Sequence, residues 1–599
     1  MNTTPSEKPS IIDSVWPLLG LISIAFHLWL VFSGLVPNLV SRPIHLMLAV
    51  PWILMAPGRS MALTVSGWML GTAGLAAATW IAFNESTLGD QYGSLAGQGQ
   101  VVVACVLLVC VLEMARRSIG WPLPMVAALA LAYGLLGEHI PGEFGYAGMP
   151  LNSFLGTLTI AEGGIWGSLT GVSVSIVAIF VIFGAVLNAG EAGQGFMNLA
   201  SAAAGHLRGG AGKVSVISSA LFGSISGSAS ANVASTGAIT LPAMTRLGYP
   251  RRLAGAIEAV ASSGGQIMPP LMGAGAFVMV ELTGVPYTGI MAAALLPAIL
   301  YFAAVWIGID AYAVKLGLAA LPADQRPSFK AVALTTSFFF FPFATLLWGM
   351  FVSDYTPQYA ACMAILVGAL LLLTGADLRF DAKRTASRLV AATRTAGQQI
   401  AVIASIILCA SIIVGVLGMT GLGVKVTSVI LSLSGQSLWP ALLLTALACM
   451  LLGMEVPTTA AYVICVSVAG PALTALGLEP LQTHLFVFWF ALLSTITPPV
   501  CGAVFIAAGM VEENWLKVAG TAMKLGVGLY LIPLGMIANP DLIALDAHPF
   551  WALLAMFKVG AALALVSYGL IAARRWLAQL GFLAAGLLML FVPMSTAAT

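Results

Sequence analysis

The sequence predicts an all-α polytopic membrane protein, built from an inverted repeat that carries two re-entrant hairpins. Three observations indicate this fold class. Hydrophobic residues make up 60% of the 599 positions and charged residues 8%, against roughly 25% charged in ordinary soluble domains. Apolar runs near the length of about 20 residues that spans a bilayer follow one another along the chain. The second half of the chain also repeats features of the first half at a constant offset.

The apolar runs predict the order of membrane helices. The first run, at 16–36, is too long for a signal-peptide core and has no small-residue cleavage site behind it, so we expect it to stay as a helix. The remaining runs lie at about 43–57, 61–83, 100–115, 121–137, 172–188, 252–282, 290–309, 333–352, 359–373, 400–417, 485–510, 517–537, 550–572 and 577–592.

Basic residues predict the orientation, because cytoplasmic loops collect Lys and Arg. A cytoplasmic N-terminus places most basic residues, including the cluster at 379–394, on the inner side, and leaves acidic residues such as Asp90 and Asp354 outside. That arrangement holds only if two segments, 213–246 and 439–475, enter halfway and return on the same side. Both segments are apolar but interrupted by small, polar or Pro residues.

Composition and motifs exclude several classes of function. A net charge of +2 leaves no broad basic surface of the kind that nucleic acid needs. Histidines and carboxylates form no HExxH, GxSxG or comparable catalytic pattern, and no charged pore ring is found, so we predict neither an enzyme nor a channel. The stretch "GHLRGGAGKV" is no phosphate loop, because Leu207 replaces the first Gly and Val214 the Ser or Thr. We therefore expect no ATP hydrolysis.

The internal repeat has an offset of 229 residues. It places "QIMPPLMGAGAF", with Pro269 and Pro270, on "TITPPVCGAVF", with Pro498 and Pro499. The same offset brings "GSISGSASANVAST" onto "GMEVPTTAAYV", so that both interrupted segments match. A single helix at 333–352 separates the repeats and should invert the second one relative to the first.

Interrupted helices inside a bilayer indicate a binding site. A chain that leaves the helix within hydrocarbon exposes N–H and C=O groups, and each costs several kcal/mol unless protein, water or an ion satisfies it. Unwound carbonyls can bind a small hard cation, and helix N-termini can face an anion. Inverted repeats with discontinuous helices are typical of secondary transporters, whose sites lie at the repeat interface. We therefore predict a secondary active transporter whose site lies at the hairpin tips and the Pro-Pro breaks.

Oxygen-bearing side chains at the first tip are the leading site candidates. Their spacing also suits close helix packing, because small residues four apart let membrane helices touch. The match to the repeat favours a site, and hydroxyl and amide oxygens suit a hard cation. These candidates are Ser224, Ser226, Ser228, Ser230 and Asn232.

Two carboxylates lie within the broken regions. Glu455, at the second tip, ranks above Glu258 as a functional residue, and its alternative role is to cap the backbone amides of the tip. Asp310, near a helix end, is interpreted as an interfacial residue. No Lys or Arg occurs in either tip or break, so an anionic substrate would be held by helix N-termini, hydroxyls or bound cations.

These motifs resemble the tripartite ATP-independent periplasmic (TRAP) transporters, in particular the fused permeases of the TAXI branch. The resemblance rests on "KVSVISSALFGSISGSASANVASTGAITLPAM", "GYPRRLAGAIEAVASSGGQIMPPLMGAGAFVM", "GMEVPTTAAYV" and "TPPVCGAVFIAAGM". Residues 119–599 are similar to the large subunit and 1–118, by position and hydropathy, to a fused small subunit of four helices. Within the large-subunit region we expect repeats at 119–310 and 357–540, the two hairpins, and C-terminal helices at 550–592.

The resemblance implies sodium-driven import of a small organic anion, with carboxylates as the expected class, across the bacterial inner membrane. It also implies an elevator motion without ATP and a periplasmic binding protein that delivers the substrate. Elevator-type sodium/anion symporters that need no binding protein have similar hairpins, so such a symporter stays the alternative.

Site residues are carried over from the family by position. The first sodium site would involve Ser226, Ser228, Asn232, Gly264 and Gly265. The second would involve Gly453, Glu455, Thr458, Thr459, Thr495, Thr497 and Pro498. Substrate would lie between the tips, beside Ser228, Ser230, Pro269, Pro457, Thr459 and Pro499.

Overall fold

The computed structural model describes residues 11–58, 60–454, 456–573 and 575–592. Helices and their connections make up the described chain, apart from one isolated β-bridge between Thr374 and Phe380. Within these residues, ten helices are long and apolar enough to cross a membrane, or eleven if the pair Trp515–Leu525 and Val527–Ala538, bent by 42°, counts as one span. The predicted all-α polytopic fold is confirmed.

The α-helices are numbered in chain order. The first fourteen are α1 Ile11–Phe32, α2 Asn38–Val50, α3 Met61–Phe83, α4 Glu85–Gly89, α5 Gln98–Ile119, α6 Pro122–Leu136, α7 Leu151–Thr159, α8 Ser168–Val172, α9 Ala178–Ala189, α10 Ala192–Ala204, α11 Gly210–Ser226, α12 Ala229–Arg246, α13 Arg251–Gly264 and α14 Ala274–Thr283. The others are α15 Tyr287–Leu316, α16 Phe329–Phe351, α17 Pro357–Leu371, α18 Ala382–Thr420, α19 Leu422–Leu433, α20 Leu438–Gly453, α21 Thr458–Ala475, α22 Pro480–Leu493, α23 Gly502–Met510, α24 Trp515–Leu525, α25 Val527–Ala538, α26 Pro549–Ile571 and α27 Trp576–Phe591.

The chain folds into two compact units, each made of two separate stretches. Unit 1 comprises Met1–Glu191 and Phe340–Thr420, and unit 2 comprises Ala192–Phe339 and Gly421–Thr599. The helices of both predicted hairpins, α11–α12 and α20–α21, belong to unit 2. Because α21 is itself long and apolar enough to cross a membrane, the re-entrant course of these segments stays a prediction. The proposed origin of 1–118 as a fused small subunit stays a prediction.

Unit 1 is organised around α18, a helix of 39 residues that contacts α1, α2, α5, α6 and α9. The predicted span at 400–417 is only the C-terminal half of this helix. Its N-terminal half continues through Lys383, Arg388 and Arg394. Lys and Arg are good helix formers, so the charges that end the apolar run do not end the helix.

Polar side chains on one face of α2 join the two predicted subunit regions within unit 1. Asn38 donates a hydrogen bond to Glu162 (2.7 Å), and Arg42 forms an ion pair with the same carboxylate (3.5 Å). One turn further, His45 Nε2 lies 3.0 Å from Ser173 Oγ. Residues three and four apart share a helix face, which explains why these three side chains contact a single segment.

Unit 2 repeats its helices with the predicted offset. Adding 229 to the bounds of α12 gives 458–475, the bounds of α21, and adding 229 to those of α13 gives 480–493, the bounds of α22. Both broken spans are interrupted where the Pro-Pro pairs lie, at 265–273 (the first break) and 494–501 (the second break). Pro269–Pro270 and Pro498–Pro499 are joined by cis peptide bonds.

The base of the first hairpin is fixed by a charged cluster. Lys213 on α11 lies 2.8 Å from Asp310 on α15, and its Nζ lies 5.0 Å from the centre of the Trp306 ring. Arg208 lies 2.8 Å from the same carboxylate. The Lys213 side chain is 5% exposed, whereas that of Arg208 is 55% exposed. Asp310, which the sequence suggested was merely interfacial, therefore connects the hairpin to α15.

Replacing Asp310 by Asn should lower the stability of the detergent-solubilised protein, because it leaves the Lys213 ammonium buried without a counter-charge. We expect a loss of about 2 kcal/mol, less than for a fully buried pair because Asp310 is partly exposed. Arg208→Gln is the matched control and should cost less than about 0.5 kcal/mol, since exposed pairs contribute little. Equal losses in thermal unfolding of both variants would contradict this role of Lys213.

Candidate functional site

The tip of each hairpin is a short reversal at which a new helix begins. In the first hairpin, Gly227 adopts a left-handed conformation (φ +60°) and Ser228 caps α12 by accepting a hydrogen bond from the amide of Ala231 (3.4 Å). In the second hairpin, α20 ends at Gly453 and α21 begins at Thr458. Each tip thus presents the N-terminus of the hairpin's second helix.

Each tip packs against the break of its own repeat. A Cβ atom added to Gly223 would lie 2.2 Å from the Cα atom of Gly265, so the two backbones touch. In the second repeat a Cβ atom on Gly453 would lie 2.5 Å from Ser494 Oγ. Residue 494 is the repeat counterpart of Gly265, and Gly453 lies one residue beyond the counterpart of Gly223, so each repeat has an equivalent contact of tip against break.

The two breaks also meet each other within unit 2. Ser263 Oγ and Thr495 Oγ1 share a hydrogen bond of 2.9 Å across 232 residues of sequence. In addition, α12 contacts α23, and α14 contacts α21. The second helix of each hairpin therefore packs against the broken helix of the other repeat, and tips and breaks form a single site.

The N-termini of four helices give this site a positive electrostatic potential. The helices α12, α14, α21 and α23 all begin at a tip or a break. The N-terminus of α12 lies beside that of α14, where Gly227 approaches Gly273, and beside that of α23, where Ser230 Oγ would be 3.9 Å from a Cβ on Gly502. Helix N-termini favour anions, because their first N–H groups lack partners within the helix.

The residues predicted from the sequence divide by burial. Buried members of the sodium set are Asn232, Gly264, Gly265, Gly453 and Thr458. Half-buried members are Ser226, Ser228, Thr459, Thr495, Thr497 and Pro498. The substrate set is half-buried or exposed throughout: Ser228, Ser230, Pro269, Pro457, Thr459 and Pro499. Glu455 lies outside the described residues, so its predicted role stays a prediction.

Asn232, on α12, links the other helix of the first hairpin, α11, to α13. Its amide nitrogen donates to the backbone carbonyls of Ser219 (2.9 Å) and Ser262 (3.2 Å). These bonds orient the side chain and leave its Oδ1 atom as the acceptor, with the Thr236 hydroxyl 3.4 Å away. An amide oxygen held in this way is suited to a cation.

Two oxygen atoms near the first tip are buried and have no hydrogen-bond partner among the described residues, Ser226 Oγ and Gln266 Oε1. Leaving such an atom unpaired costs about 1–3 kcal/mol, so each is an acceptor that a bound cation would satisfy. The sodium ligands predicted from the sequence did not include Gln266. The repeat does point to it, because the offset of 229 places Gln266 on Thr495, which belongs to the predicted second sodium site.

Glu258 is the carboxylate that the structure places deepest in this region. It is fully buried on α13 and accepts hydrogen bonds from four hydroxyl groups, those of Ser215, Thr236, Thr240 and Ser262. Among the described residues, no group of three His, Cys, Asp or Glu side chains could hold a metal ion. The oxygen ligands offered at the tips and breaks are hydroxyls, amides and backbone carbonyls, the kind that hard cations prefer.

Comparisons with known proteins agree with this architecture. The family model described as "Tripartite ATP-independent periplasmic transporter, DctM component" matches residues 106–551. The "C4-dicarboxylate TRAP transporter large permease protein DctM" of Pseudomonas aeruginosa is 25% identical over 338 residues, 56% of this chain and 76% of the relative.

Two further relatives match longer stretches of the chain. The "Sialic acid TRAP transporter large permease protein SiaM" of Vibrio cholerae is 22% identical over 417 residues, 68% of this chain and 95% of the relative. The "Isethionate TRAP transporter permease protein DctMQ" of Oleidesulfovibrio alaskensis is 23% identical over 426 residues, 70% of this chain and 66% of the relative. The family model matches well over half of the chain, and ten helices in the part that the structure describes are apolar enough to span a membrane. The chain therefore belongs to the tripartite ATP-independent periplasmic transporters, as a multi-pass permease of the inner membrane.

Proposed function

We propose that this permease imports a small organic anion across the bacterial inner membrane by coupling it to sodium, with its N-terminus in the cytoplasm and a periplasmic binding protein delivering the substrate. The observation that carries the proposal is the meeting of both breaks through Ser263 and Thr495. At that point interrupted helices leave backbone groups for cargo and cation to satisfy.

The first sodium site would be formed by Ser226, Ser228, Asn232, Gly264 and Gly265, and we add Gln266. Two unpaired buried oxygens, on Ser226 and Gln266, support this ligand set. The second site would use Gly453, Glu455, Thr458, Thr459, Thr495, Thr497 and Pro498. In this repeat the Thr497 hydroxyl hydrogen-bonds the Tyr530 hydroxyl (2.7 Å), which would hold it in place.

An organic anion, with a carboxylate as the favoured group, would bind between the tips. The named relatives are permeases for C4-dicarboxylate, sialic acid and isethionate. No Lys or Arg is available in the tips or breaks. The negative charge would therefore be met by the N-termini of α12, α14, α21 and α23, together with the bound sodium ions.

Transport would follow an elevator motion in which the hairpin-containing part of unit 2 carries both ions and the anion. Binding of sodium would order the tips, so that only the loaded form crosses the membrane. The four helices at 1–118 would belong to the fixed scaffold.

Uptake into proteoliposomes tests this proposal. The substrate would be identified by ligand screening of a binding protein encoded beside this chain. We expect uptake only with an inward sodium gradient and with the substrate-loaded binding protein present, whereas a potassium gradient should give none. Uptake that needs sodium but no binding protein would favour a self-sufficient symporter, and uptake independent of sodium would contradict the coupling.

A further inference from the structure

Glu258 joins three helices of the first repeat through hydroxyl groups. The Ser215 hydroxyl on α11 donates to Oε2 (2.8 Å), and the Ser262 hydroxyl on α13 donates to Oε1 (3.1 Å). From α12, the Thr236 hydroxyl hydrogen-bonds Oε1 and the Thr240 hydroxyl hydrogen-bonds Oε2. The carboxyl group is thus surrounded, with two hydroxyls on each oxygen.

Burial alone favours the neutral acid, whereas the four surrounding hydroxyl groups can stabilise the ionised form of the carboxyl group. An ionised carboxylate only accepts hydrogen bonds and offers about four lone-pair positions, and each of the four hydroxyl groups has one hydrogen that it can donate to such a position. A protonated carboxyl would itself donate one hydrogen bond and would leave fewer positions for donors. Glu258 forms no ion pair within the described part of the chain, so its charge has no protein cation beside it.

The same hydroxyl network reaches the first proposed sodium site. Thr236 Oγ1, which contacts Glu258, also lies 2.8 Å from the backbone oxygen of Asn232, so the two acceptors share its single hydroxyl hydrogen. Ser262 contacts Glu258 through its hydroxyl and accepts from the Asn232 amide through its carbonyl (3.2 Å). Gly264, the last residue of α13, and Gly265 directly follow Ser263 in the sequence. The carboxylate is therefore separated from the proposed ligands by one layer of side chains.

We infer that Glu258 supplies the negative charge that gives the first hairpin site its affinity for sodium, without itself contacting the ion. The inference rests on the sodium coupling proposed above. An isolated charge is expensive to bury, whereas opposite charges a few ångströms apart in a low-dielectric interior attract strongly. In the sodium-loaded form, ion and carboxylate would form a compensated pair.

Sodium-dependent thermal stabilisation of the detergent-solubilised protein tests this role. Unfolding is followed while NaCl replaces choline chloride at constant ionic strength, and the sodium concentration at half-maximal stabilisation is compared between variants. Glu258→Gln keeps the shape but removes the charge, and we expect it to raise this concentration about tenfold or more. Ser215→Ala, the matched control, loses one donor but keeps the charge, and its sodium midpoint should stay near that of the parent.

Several outcomes would overturn the inference. An unchanged sodium midpoint in Glu258→Gln would do so, as would equal shifts in Glu258→Gln and Ser215→Ala, which would indicate packing instead of charge. Loss of a pH dependence of uptake in Glu258→Gln, with the sodium midpoint unchanged, would make the residue a proton carrier. If Glu258→Gln does not fold, Glu258→Asp decides: the charge is kept, so a tenfold shift there would contradict the inference. A parent protein without sodium-specific stabilisation would instead refute the proposed coupling itself.

Discussion

Replacing Gly265 by Ala is expected to destabilise the protein by about 3 kcal/mol, at the upper end of the usual cost of overpacking, and to abolish sodium-dependent uptake. The added methyl group would lie 2.3 Å from the Cα atom of Gly223 and 3.0 Å from the amide nitrogen of Asn232. Backbone cannot rotate away as a flexible side chain can, so the first hairpin would have to separate from the first break. The φ angle of Gly265, −59°, suits Ala equally well, so the clash alone causes the loss.

Gly509→Ala provides the matched control for this change. Gly509 lies on α23, and nothing approaches the position of its Cβ within 4 Å. We expect its thermal unfolding in detergent to stay within about 0.5 kcal/mol of the parent protein, as for other exposed substitutions. If Gly265→Ala were as stable and as active as Gly509→Ala, this result would contradict the close contact between the first hairpin tip and the first break.

Within unit 2, the sequence located the two helix breaks and the offset that relates two of its helix pairs. The Pro-Pro motifs fix the offset of 229, and the bounds of α12 and α13 carried by this offset coincide with those of α21 and α22. Pro interrupts a helix through local geometry, since it removes an amide donor and clashes with the preceding turn. Breaks and hairpins were therefore visible without knowledge of the fold.

Contacts between distant segments were not predictable in the same way. Gly223 and Gly265 approach because neither has a side chain, and a pattern based on apolar periodicity gives no weight to such positions. The hydrogen bond between Ser263 and Thr495 depends on how two repeats pack, which no local spacing encodes. The division of each unit into two separate stretches has the same origin, because α18 begins at Ala382 but packs against helices that all lie before Gly190 in the sequence.

The relative importance of the two carboxylates, Glu455 and Glu258, could not be predicted from the sequence. Glu455 ranked above Glu258 because it lies at a tip, where an intramembrane acid is commonly functional. Glu258 sits in the interior of a regular helix, and its four hydroxyl donors come from three helices, α11, α12 and α13. Only the packed structure brings Ser215 to the same carboxylate as Thr240, so sequence position alone could not rank this residue.

A bulky residue at either tip should abolish sodium-dependent uptake while the protein still inserts into the membrane. Ser228 and Thr459 are both half-buried at helix starts, so Ser228→Phe or Thr459→Phe would fill the space proposed for substrate without disturbing a spanning helix. Ser228→Phe also removes the hydroxyl that accepts from the Ala231 amide, a capping bond whose loss costs about 1 kcal/mol.

Ser235→Phe is the matched control for these tip variants, because Ser235 lies on the exposed face of the same helix, α12, and should tolerate the ring. Membrane-fraction yield and proteoliposome uptake are compared for the three variants. We expect equal yields, background uptake for both tip variants, and near-normal uptake for Ser235→Phe. Normal uptake by Ser228→Phe and Thr459→Phe would mean that cargo does not pass between the tips, since a ring placed there would leave no room for an organic anion.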